Sequence, residues 1–255
     1  MQARKLGLVA AVLLIAACSR SNPPSTTPAA SNTQPPAAEA DAGAAADAPQ
    51  TAAAELVSDE SAGAPIAGKF RIGVHYQRLS PTQPTSSPPD QVEVAEVFWY
   101  GCPHCYHFDP QVEAWRAKKP EYVNFIRIPA VWNPLLQLHA RAFYTAEALG
   151  KGAEMHSEFF REIHERGNAL DTEAKLTEFF GRFGVDAAAF KSAFDSFAVH
   201  AKLQRADELN RRYRISGVPT LIINGKYTTE GSQTASYDEL LELATELAAA
   251  EHAAK

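Results

Sequence analysis

The spacing of apolar positions changes several times along the chain and predicts an alternation of strands and helices. Alternating apolar residues over 69–79 predict an edge strand, and the nearly continuous apolar runs 92–100 and 123–128 predict strands buried on both faces. Between these two runs, Phe108 and Val112 lie four positions apart, which is typical of a helix with one apolar face. The order strand, strand, helix, strand indicates an α/β domain.

Helical spacing then continues, without a strand pattern, through residues 133–213. Five helices are predicted in this block, over residues 135–149, 154–164, 172–183, 186–197 and 199–213. A block of helices between strands of one sheet indicates an inserted subdomain. The sequence therefore predicts one α/β domain formed by residues 65–132 and 214–255, with residues 133–213 as its helical insertion.

Strand signals return after the helical block. The apolar run 218–223 leads into Asn224-Gly225, a strong signal for a two-residue hairpin turn. Ser236 and Glu239 then form the capping-box pattern of a last amphipathic helix. These elements complete the predicted domain.

The first quarter of the chain lacks this patterning. Residues 1–17 contain Arg4 and Lys5 followed by an apolar run that is too short to cross a bilayer, which needs about 20 residues. The run ends at Ile15-Ala16-Ala17-Cys18, which resembles the lipobox of bacterial lipoprotein signals. That resemblance implies cleavage before Cys18 and lipid on its sulfur. The alternative is an ordinary secretory signal that contains a cysteine.

Residues 18–64 are predicted to form a disordered tether. They contain no Phe, Trp or Tyr and are rich in Ala, Pro, Ser and Thr, so they cannot bury enough apolar surface to offset the entropy of ordering. As a flexible coil the tether would span roughly 35–40 Å. Six acidic residues against the single Arg20 give it most of the formal net charge of −6. Because the rest of the chain shows no basic stripe, nucleic acid is not expected as a partner.

The segment Cys102-Pro103-His104-Cys105 carries the candidate chemistry. Two cysteines three positions apart at a helix start can form and break a disulfide, and the helix N-terminus favours a thiolate. Cys102 is predicted to be the solvent-facing reactive thiol, and Cys105, one turn further, its buried resolving partner. Pro103 presets the helical backbone, and His104 can place positive charge or a donor near the thiolate. An inert disulfide and a zinc site are the weaker alternatives, since zinc needs about four ligands.

A resemblance to a known family rests on three features of the chain. The CPHC pair follows an aromatic-rich strand, the helical block comes next, and Gly217-Val218-Pro219-Thr220 precedes a hairpin. Over residues 68–250 the chain thus resembles the DsbA family of thiol:disulfide oxidoreductases, which implies a thioredoxin fold with an α-helical insertion. It also implies a cis Val218–Pro219 bond lying against the cysteines, with the backbone of Val218 available to pair with an extended substrate. The residues alone would favour an ordinary trans proline at the start of an edge strand.

Glu96 is an acid within the buried run that precedes the cysteines. The resemblance implies that it helps to move protons near the buried sulfur, whereas the alternative is a solvent-facing residue at a sheet edge. The family often has a lysine on the next strand as the partner of this acid. The chain has Arg127 there, which stays charged and cannot shuttle a proton, so the role of the partner stays open. Three further histidines are interpreted as surface or packing residues, namely His107, His139 and His164.

These features predict a periplasmic dithiol oxidase, lipid-anchored to the inner or outer membrane, that introduces disulfides into exported proteins. Its expected partners are reduced or unfolded exported polypeptides and a DsbB-like membrane oxidase linked to quinone. It is expected to be a monomer without metal or cofactor. The alternatives are a disulfide isomerase or reductase of the same compartment and a thioredoxin-fold lipoprotein that binds peptides without turnover. The tether leaves no room for the dimerisation domain usual in isomerases, and the intact CxxC argues against a pure peptide binder.

Overall fold

The computed structural model describes residues 68–255 together with the backbone of residues 55–57. The predicted signal, the lipidation candidate Cys18 and the remainder of the predicted tether lie outside the described residues. Within the described part, no helix has the length and apolarity that a membrane crossing requires.

A six-stranded mixed sheet forms the centre of the fold, in the order β1-β2-β6-β5-β3-β4. The central strand β3 pairs in parallel with β4 and antiparallel with β5, and every other pairing is antiparallel. The strand bounds are Glu55–Val57 for β1, Gln77–Ser80 for β2, Val92–Phe98 for β3, Val123–Pro129 for β4, Thr220–Ile223 for β5 and Tyr227–Glu230 for β6.

Seven α-helices accompany the sheet in the described residues. Five of them, α2 to α6, follow one another between β4 and β5 as the sequence predicts, with ends displaced by no more than three residues. The helix bounds are Pro103–Arg116 for α1, Pro134–Ala148 for α2, Gly152–His164 for α3, Glu173–Gly181 for α4, Ala187–Phe194 for α5, Phe197–Arg212 for α6 and Tyr237–Ala253 for α7.

Side-chain caps explain why several of these helices begin where they do. The side chains of Asn133, Thr172, Asp186 and Ser196 each accept a hydrogen bond from a backbone N–H of the first turn. At α7, the Ser236 hydroxyl accepts from the N–H of Glu239, and the Glu239 carboxylate accepts from the residue before the cap. The predicted capping box is therefore present in a version shifted by one residue.

The prediction of a strand over residues 69–79 is wrong for most of its length. Only its last part belongs to β2, and upstream the chain turns, with the N–H of His75 donating to the Arg71 carbonyl over 2.9 Å. Gly73 adopts a φ of +78°, which glycine accepts most readily. Phe70 and Tyr76 are nevertheless fully buried. The apolar alternation thus reflected burial and not strand geometry.

The edges of the sheet also differ from the prediction. Strand β1 covers β2 on its outer side, so β2 is not an edge strand, and these three residues of the predicted tether are extended and paired. The opposite edge is β4, and four of its seven residues are half-buried. Val123 and Phe125 pack on one face of the sheet and Ile126 and Ile128 on the other, so β4 is covered on both faces but less completely than predicted.

Two apolar clusters lie on the two faces of the sheet. Helices α1 and α7 pack on one face, where Phe108, Val112 and the leucines of α7 meet Val94 and Leu221. The other face carries an aromatic-rich cluster that includes both cysteines and the phenylalanines of α3 to α5. The cysteine pair therefore lies against the helical insertion, and this contact shapes the site.

Candidate active site

The chain between β3 and α1 forms a tight turn that presents the cysteines at the carboxyl end of β3. The N–H of Cys102 donates to the carbonyl oxygen of Trp99 over 3.0 Å. A Cβ atom on Gly101 would lie 2.3 Å from the indole of Trp99, so the turn requires glycine there. The Trp99 indole N–H donates to Nδ1 of His139 on α2, over 3.0 Å. The turn is therefore fixed both by its own backbone and by the insertion.

Cys102 lies at the N-cap of α1 with Pro103 in the first helical position. The Cys105 thiol donates to its sulfur and lowers the pKa of Cys102 to about 6, against the opposing effect of partial burial. The backbone N–H groups of Cys105 and His104 and the charge of His104 act in the same direction. Half or more of Cys102 is thus thiolate at neutral pH. Only 8% of the residue is exposed, so the prediction of a solvent-facing thiol is not met.

Cys105 has the opposite environment. It is fully buried, and burial raises the pKa of its thiol well above the ordinary value. The neighbouring Cys102 sulfur and the Glu96 carboxylate raise it further. Both cysteines are free thiols in this structure. The pair therefore combines one easily ionised thiol with one that holds its proton.

The loop before β5 lies directly against this pair. The Val218–Pro219 bond is cis, as the resemblance implies. The Cys102 thiol donates to the Val218 carbonyl oxygen over 3.4 Å. A groove of about 270 Å³ opens beside them, lined by His104, Val218, Pro219, Tyr237 and the chain at 230–232. Three sequence-predicted site residues thus line one groove, His104 from α1 and Val218 and Pro219 from the opposite loop, and Cys102 lies beside it through its contact with Val218.

Glu96 and Arg127 lie beneath the pair, in the sheet. They are direct neighbours in the register of β3 and β4, and Nε of Arg127 donates to Glu96 over 2.9 Å. Only 2% of the Glu96 side chain is exposed, which excludes the solvent-facing alternative. Burial raises the pKa of Glu96, although Arg127 opposes this effect. Arg127 also binds Asp109 over 3.2 Å and Glu113 over 2.7 Å, so one guanidinium forms ion pairs with three acids.

Two residues of this region escaped the sequence analysis. Asp109 is buried one turn past Cys105, and His156 of α3 is buried against it with Nε2 3.1 Å from its carboxylate. Each had a detectable signal. Asp109 lies between Phe108 and Val112 on the apolar side of α1, and His156 falls on the same helical stripe as Phe159 and Phe160. Polar residues in apolar stripes are candidates for buried networks.

The zinc alternative finds no support in the part of the chain that the structure describes. No group of three or more histidine, cysteine, aspartate or glutamate side chains is arranged there to hold a metal ion. His104 instead lies 3.4 Å from the Tyr237 hydroxyl, and Nδ1 of His107 contacts the carbonyl of Pro103. The cysteine pair therefore lies between the groove beside Val218 and the buried ion cluster around Arg127.

A thioredoxin-type sheet that carries an asymmetric CxxC pair opposite a cis proline defines a thiol:disulfide oxidoreductase. Residues 126–243 match the family model described as the DSBA-like thioredoxin domain. The chain is 39% identical to the thiol:disulfide interchange protein DsbA of Azotobacter vinelandii over 73% of this chain and 86% of that protein. The chain belongs to the DsbA family.

Further comparisons agree with this assignment. DsbA of Pseudomonas aeruginosa PAO1 is 37% identical over 74% of this chain and 89% of its own length. The crystal structure of Pseudomonas aeruginosa DsbA superposes with a TM-score of 0.69, at 37% identity over 72% of this chain and 96% of that one. The oxidoreductase DsbA of Xylella fastidiosa gives a TM-score of 0.66, at 30% identity over 70% and 96%. The predicted thioredoxin fold and the predicted disulfide oxidoreductase activity, periplasmic as in this family, are confirmed.

Proposed function

We propose that Cys102 and Cys105 form the redox-active pair. Cys102 is the sulfur that substrate thiolates attack in the oxidised enzyme and that attacks disulfides in the reduced enzyme. The observation that carries this proposal is the asymmetry of the pair. Cys102 borders the groove with a pKa near 6, whereas Cys105 is buried with a pKa raised well above its ordinary value. A thiol of low pKa leaves a mixed disulfide readily, so the asymmetry assigns the leaving group.

The proposed reaction transfers two electrons from substrate thiols to the enzyme. A substrate thiolate attacks the Cys102 sulfur of the oxidised pair, and the Cys102–Cys105 bond breaks. Cys105 leaves and takes up a proton, which its high pKa favours. A second thiolate of the substrate then attacks the substrate sulfur of the mixed disulfide and expels Cys102 as a thiolate. The products are a substrate disulfide and the reduced enzyme.

The substrate class that fits the groove is an extended polypeptide. The Val218 carbonyl points at the Cys102 sulfur, and Pro219 removes the neighbouring N–H. We assign to Val218 the pairing with substrate backbone and to Pro219 the positioning of Val218, while Pro103 and His104 serve at the helix start. Glu96 lies within electrostatic range of Cys105 and is proposed to assist its proton transfer. Reduced exported proteins thus serve as electron donors.

Two further proposals concern the setting of the enzyme. Reoxidation requires an acceptor for two electrons, and we assign this role to a DsbB-like membrane oxidase linked to quinone. Lipid on Cys18 would hold the enzyme at the membrane and remove the third cysteine from disulfide exchange. Replacing Cys18 by alanine is expected to release the protein from the membrane fraction, and unchanged association would refute the anchor.

The reduction potential tests the oxidase assignment. We expect equilibration with glutathione buffers to give a value well above the roughly −270 mV of thioredoxin, because thiolate stabilisation favours the reduced form. A value at or below that of thioredoxin would favour the reductase alternative. Reshuffling of a scrambled substrate faster than oxidation of a reduced one would favour the isomerase. If the wild type oxidises a reduced protein over many turnovers and Cys102→Ser does not, the protein is an enzyme and not a passive peptide binder.

A further inference from the structure

Helix α3 of the insertion contacts the chain on both sides of the cysteine pair. Nδ1 of His156 lies 3.0 Å from the hydroxyl of Tyr100, which is two residues before Cys102. Nε2 of the same ring lies 3.1 Å from the carboxylate of Asp109, which is four residues after Cys105. One imidazole therefore joins the segment that enters the CPHC sequence to the helix that leaves it.

The chemistry of the three groups fixes where each proton lies. Burial opposes ionisation of Asp109, but hydrogen bonding from His156 and the charge of Arg127 outweigh it and lower its pKa. The Asp109 carboxylate can then only accept, so Nε2 of His156 carries the hydrogen. Burial and the charge of Arg127 lower the pKa of His156 to about 4, which keeps the ring neutral at pH 7. Its Nδ1 is consequently an acceptor, and the Tyr100 hydroxyl donates to it.

All three groups are almost fully buried, although His156 also lines a cavity of about 630 Å³. Tyr100, Asp109 and His156 are 2%, 4% and 5% exposed. The ring of Tyr100 stacks on Phe159 with 4.4 Å between centroids, which holds its hydroxyl against α3. Loss of the imidazole would leave a buried hydroxyl and a buried carboxylate each short of a partner, and such groups are costly.

Two neighbouring side chains of α3 support the same segment. The Ser157 hydroxyl donates to the second oxygen of Asp109 over 2.7 Å. His164, two turns further along α3, donates from Nε2 to the carbonyl oxygen of Tyr100 over 2.8 Å and stacks on Tyr106. The interpretation of His164 as a surface or packing residue was therefore incomplete. His164 thus also contacts the chain on both sides of the cysteine pair, but only His156 does so by polar contacts at both ends.

We propose that His156 is a positioning residue of the oxidoreductase, which holds the CPHC segment in the geometry that stabilises the Cys102 thiolate. The groups that stabilise this thiolate are the Cys105 thiol and the N–H groups of residues 104 and 105. All of them lie between Tyr100 and Asp109, the two residues that the imidazole joins. Loosening either end moves these donors relative to the sulfur. The inference rests on the proposed role of Cys102 as the reacting thiol.

Two amide variants cut the bridge at opposite ends. Asparagine in His156→Asn places an amide near Nδ1 and retains an acceptor for Tyr100. Glutamine in His156→Gln reaches towards Nε2 and retains a donor for Asp109. Ser157→Ala removes one bond to Asp109 but leaves the bridge intact. His200→Asn on α6 replaces an exposed histidine and serves as the matched control.

The measurement is thiolate absorbance of the reduced protein against pH, with thermal unfolding recorded in parallel. We expect both His156 variants to raise the Cys102 midpoint by at least about half a unit, a threefold change in the dissociation constant. Ser157→Ala should raise it less, and His200→Asn should leave it unchanged. Tyr100→Phe, which removes one oxygen of the bridge, provides the same test should either His156 variant fail to fold.

Three results would overturn the proposal. Folded His156 variants that melt earlier but keep the wild-type midpoint would reduce the imidazole to a purely structural role. A shift in Ser157→Ala equal to that of His156→Asn would assign the effect to Asp109 alone. An equal shift in His200→Asn would show that it is not specific to this site. A wild-type midpoint of 8 or above would instead refute the role of Cys102, independently of the variants.

Discussion

The groove side and the sheet side of the CPHC pair stabilise charge by different means. On the groove side, the Cys102 sulfur accepts hydrogen bonds from the Cys105 thiol and from two backbone N–H groups. When protonated, it donates a hydrogen bond to the Val218 carbonyl oxygen. On the sheet side, Arg127 faces three carboxylates in a nearly closed cluster. Partial dipoles favour a new negative charge at Cys102, whereas burial, the Cys102 sulfur and, after these, the Glu96 carboxylate raise the pKa of Cys105 and keep it protonated. The difference teaches how two adjacent cysteines can receive opposite protonation states.

The largest expected effect follows from replacing each sulfur separately. Cys102→Ser should abolish oxidation of a reduced substrate protein, because no mixed disulfide can form. Cys105→Ser should instead accumulate Cys102-linked mixed disulfides with a disulfide-containing substrate, because the resolving thiol is gone. Non-reducing electrophoresis and mass spectrometry separate the two outcomes. If Cys102→Ser instead accumulates mixed disulfides between Cys105 and the substrate, the proposed roles of the two sulfurs are reversed.

The second effect tests the sheet side through its one buried cation. Arg127→Met leaves Glu96 and Asp109 buried without their cation and should cost about 3–5 kcal/mol in urea unfolding. Arg116→Met is the matched control, because this more exposed arginine also binds Glu113 and should cost at most about 1 kcal/mol. Equal costs for both variants would show that the buried cluster contributes nothing beyond a surface pair.

The third effect tests the groove side through pH. A thiolate stabilised only in the folded state adds stability that is complete above the unfolded pKa and is lost as pH falls through the folded pKa. The reduced protein should therefore gain stability relative to Cys102→Ser as pH rises from about 6 to 9. The difference between the ordinary pKa of 9.0 for Cys102 and its folded-state pKa of about 6 is equivalent to roughly 4 kcal/mol. A stability gap that stays constant over this range would contradict the stabilised thiolate.

The smallest effect concerns the proton transfer that Glu96 is proposed to assist at Cys105. Glu96→Gln removes the group that would accept the Cys105 proton, so Cys105 should displace glutathione from a Cys102–glutathione mixed disulfide more slowly at a fixed pH. Loss of the negative charge that raises the pKa of Cys105 acts in the opposite direction, so the net loss is small, about threefold. Rapid-quench kinetics against pH measure this rate. Glu113→Gln is the control, since this acid binds the same arginine but lies on the exposed side. An equal loss in the control would assign the effect to Arg127, and an unchanged or faster rate in Glu96→Gln would refute the proposed proton transfer.

The reacting groups were predictable because their signals are local. Cys102 and Cys105 are three positions apart after a strand, and Pro219 follows a short motif before a hairpin. The partnership of Glu96 and Arg127 was also accessible, since both fall at matching positions of adjacent predicted strands. Each of these inferences needs only the position of a helix start, the direction of a strand or the alignment of two neighbouring strands.

What the sequence did not reveal depends on contacts between distant segments. His156 and Asp109 are 47 positions apart and meet only because α3 packs against α1. The turn around Gly73 escaped detection because buried residues in a loop can alternate as they do in a strand. The three-residue strand β1 has too few apolar positions for any periodicity and is extended through its pairing with β2.

Strand β1 also determines from which end of the sheet the preceding chain departs. Glu55 pairs with Ser80 near the β5–β6 hairpin, whereas Cys102 lies at the opposite end, beyond the last residue of β3. A lipid on Cys18 would therefore be joined to the domain at the end of the sheet opposite to Cys102. Residues 18–54 reach at most about 120–130 Å when fully extended. A tether of this length would leave the domain free to rotate, so the same attachment would allow Cys102 to reach both exported substrates and a membrane partner.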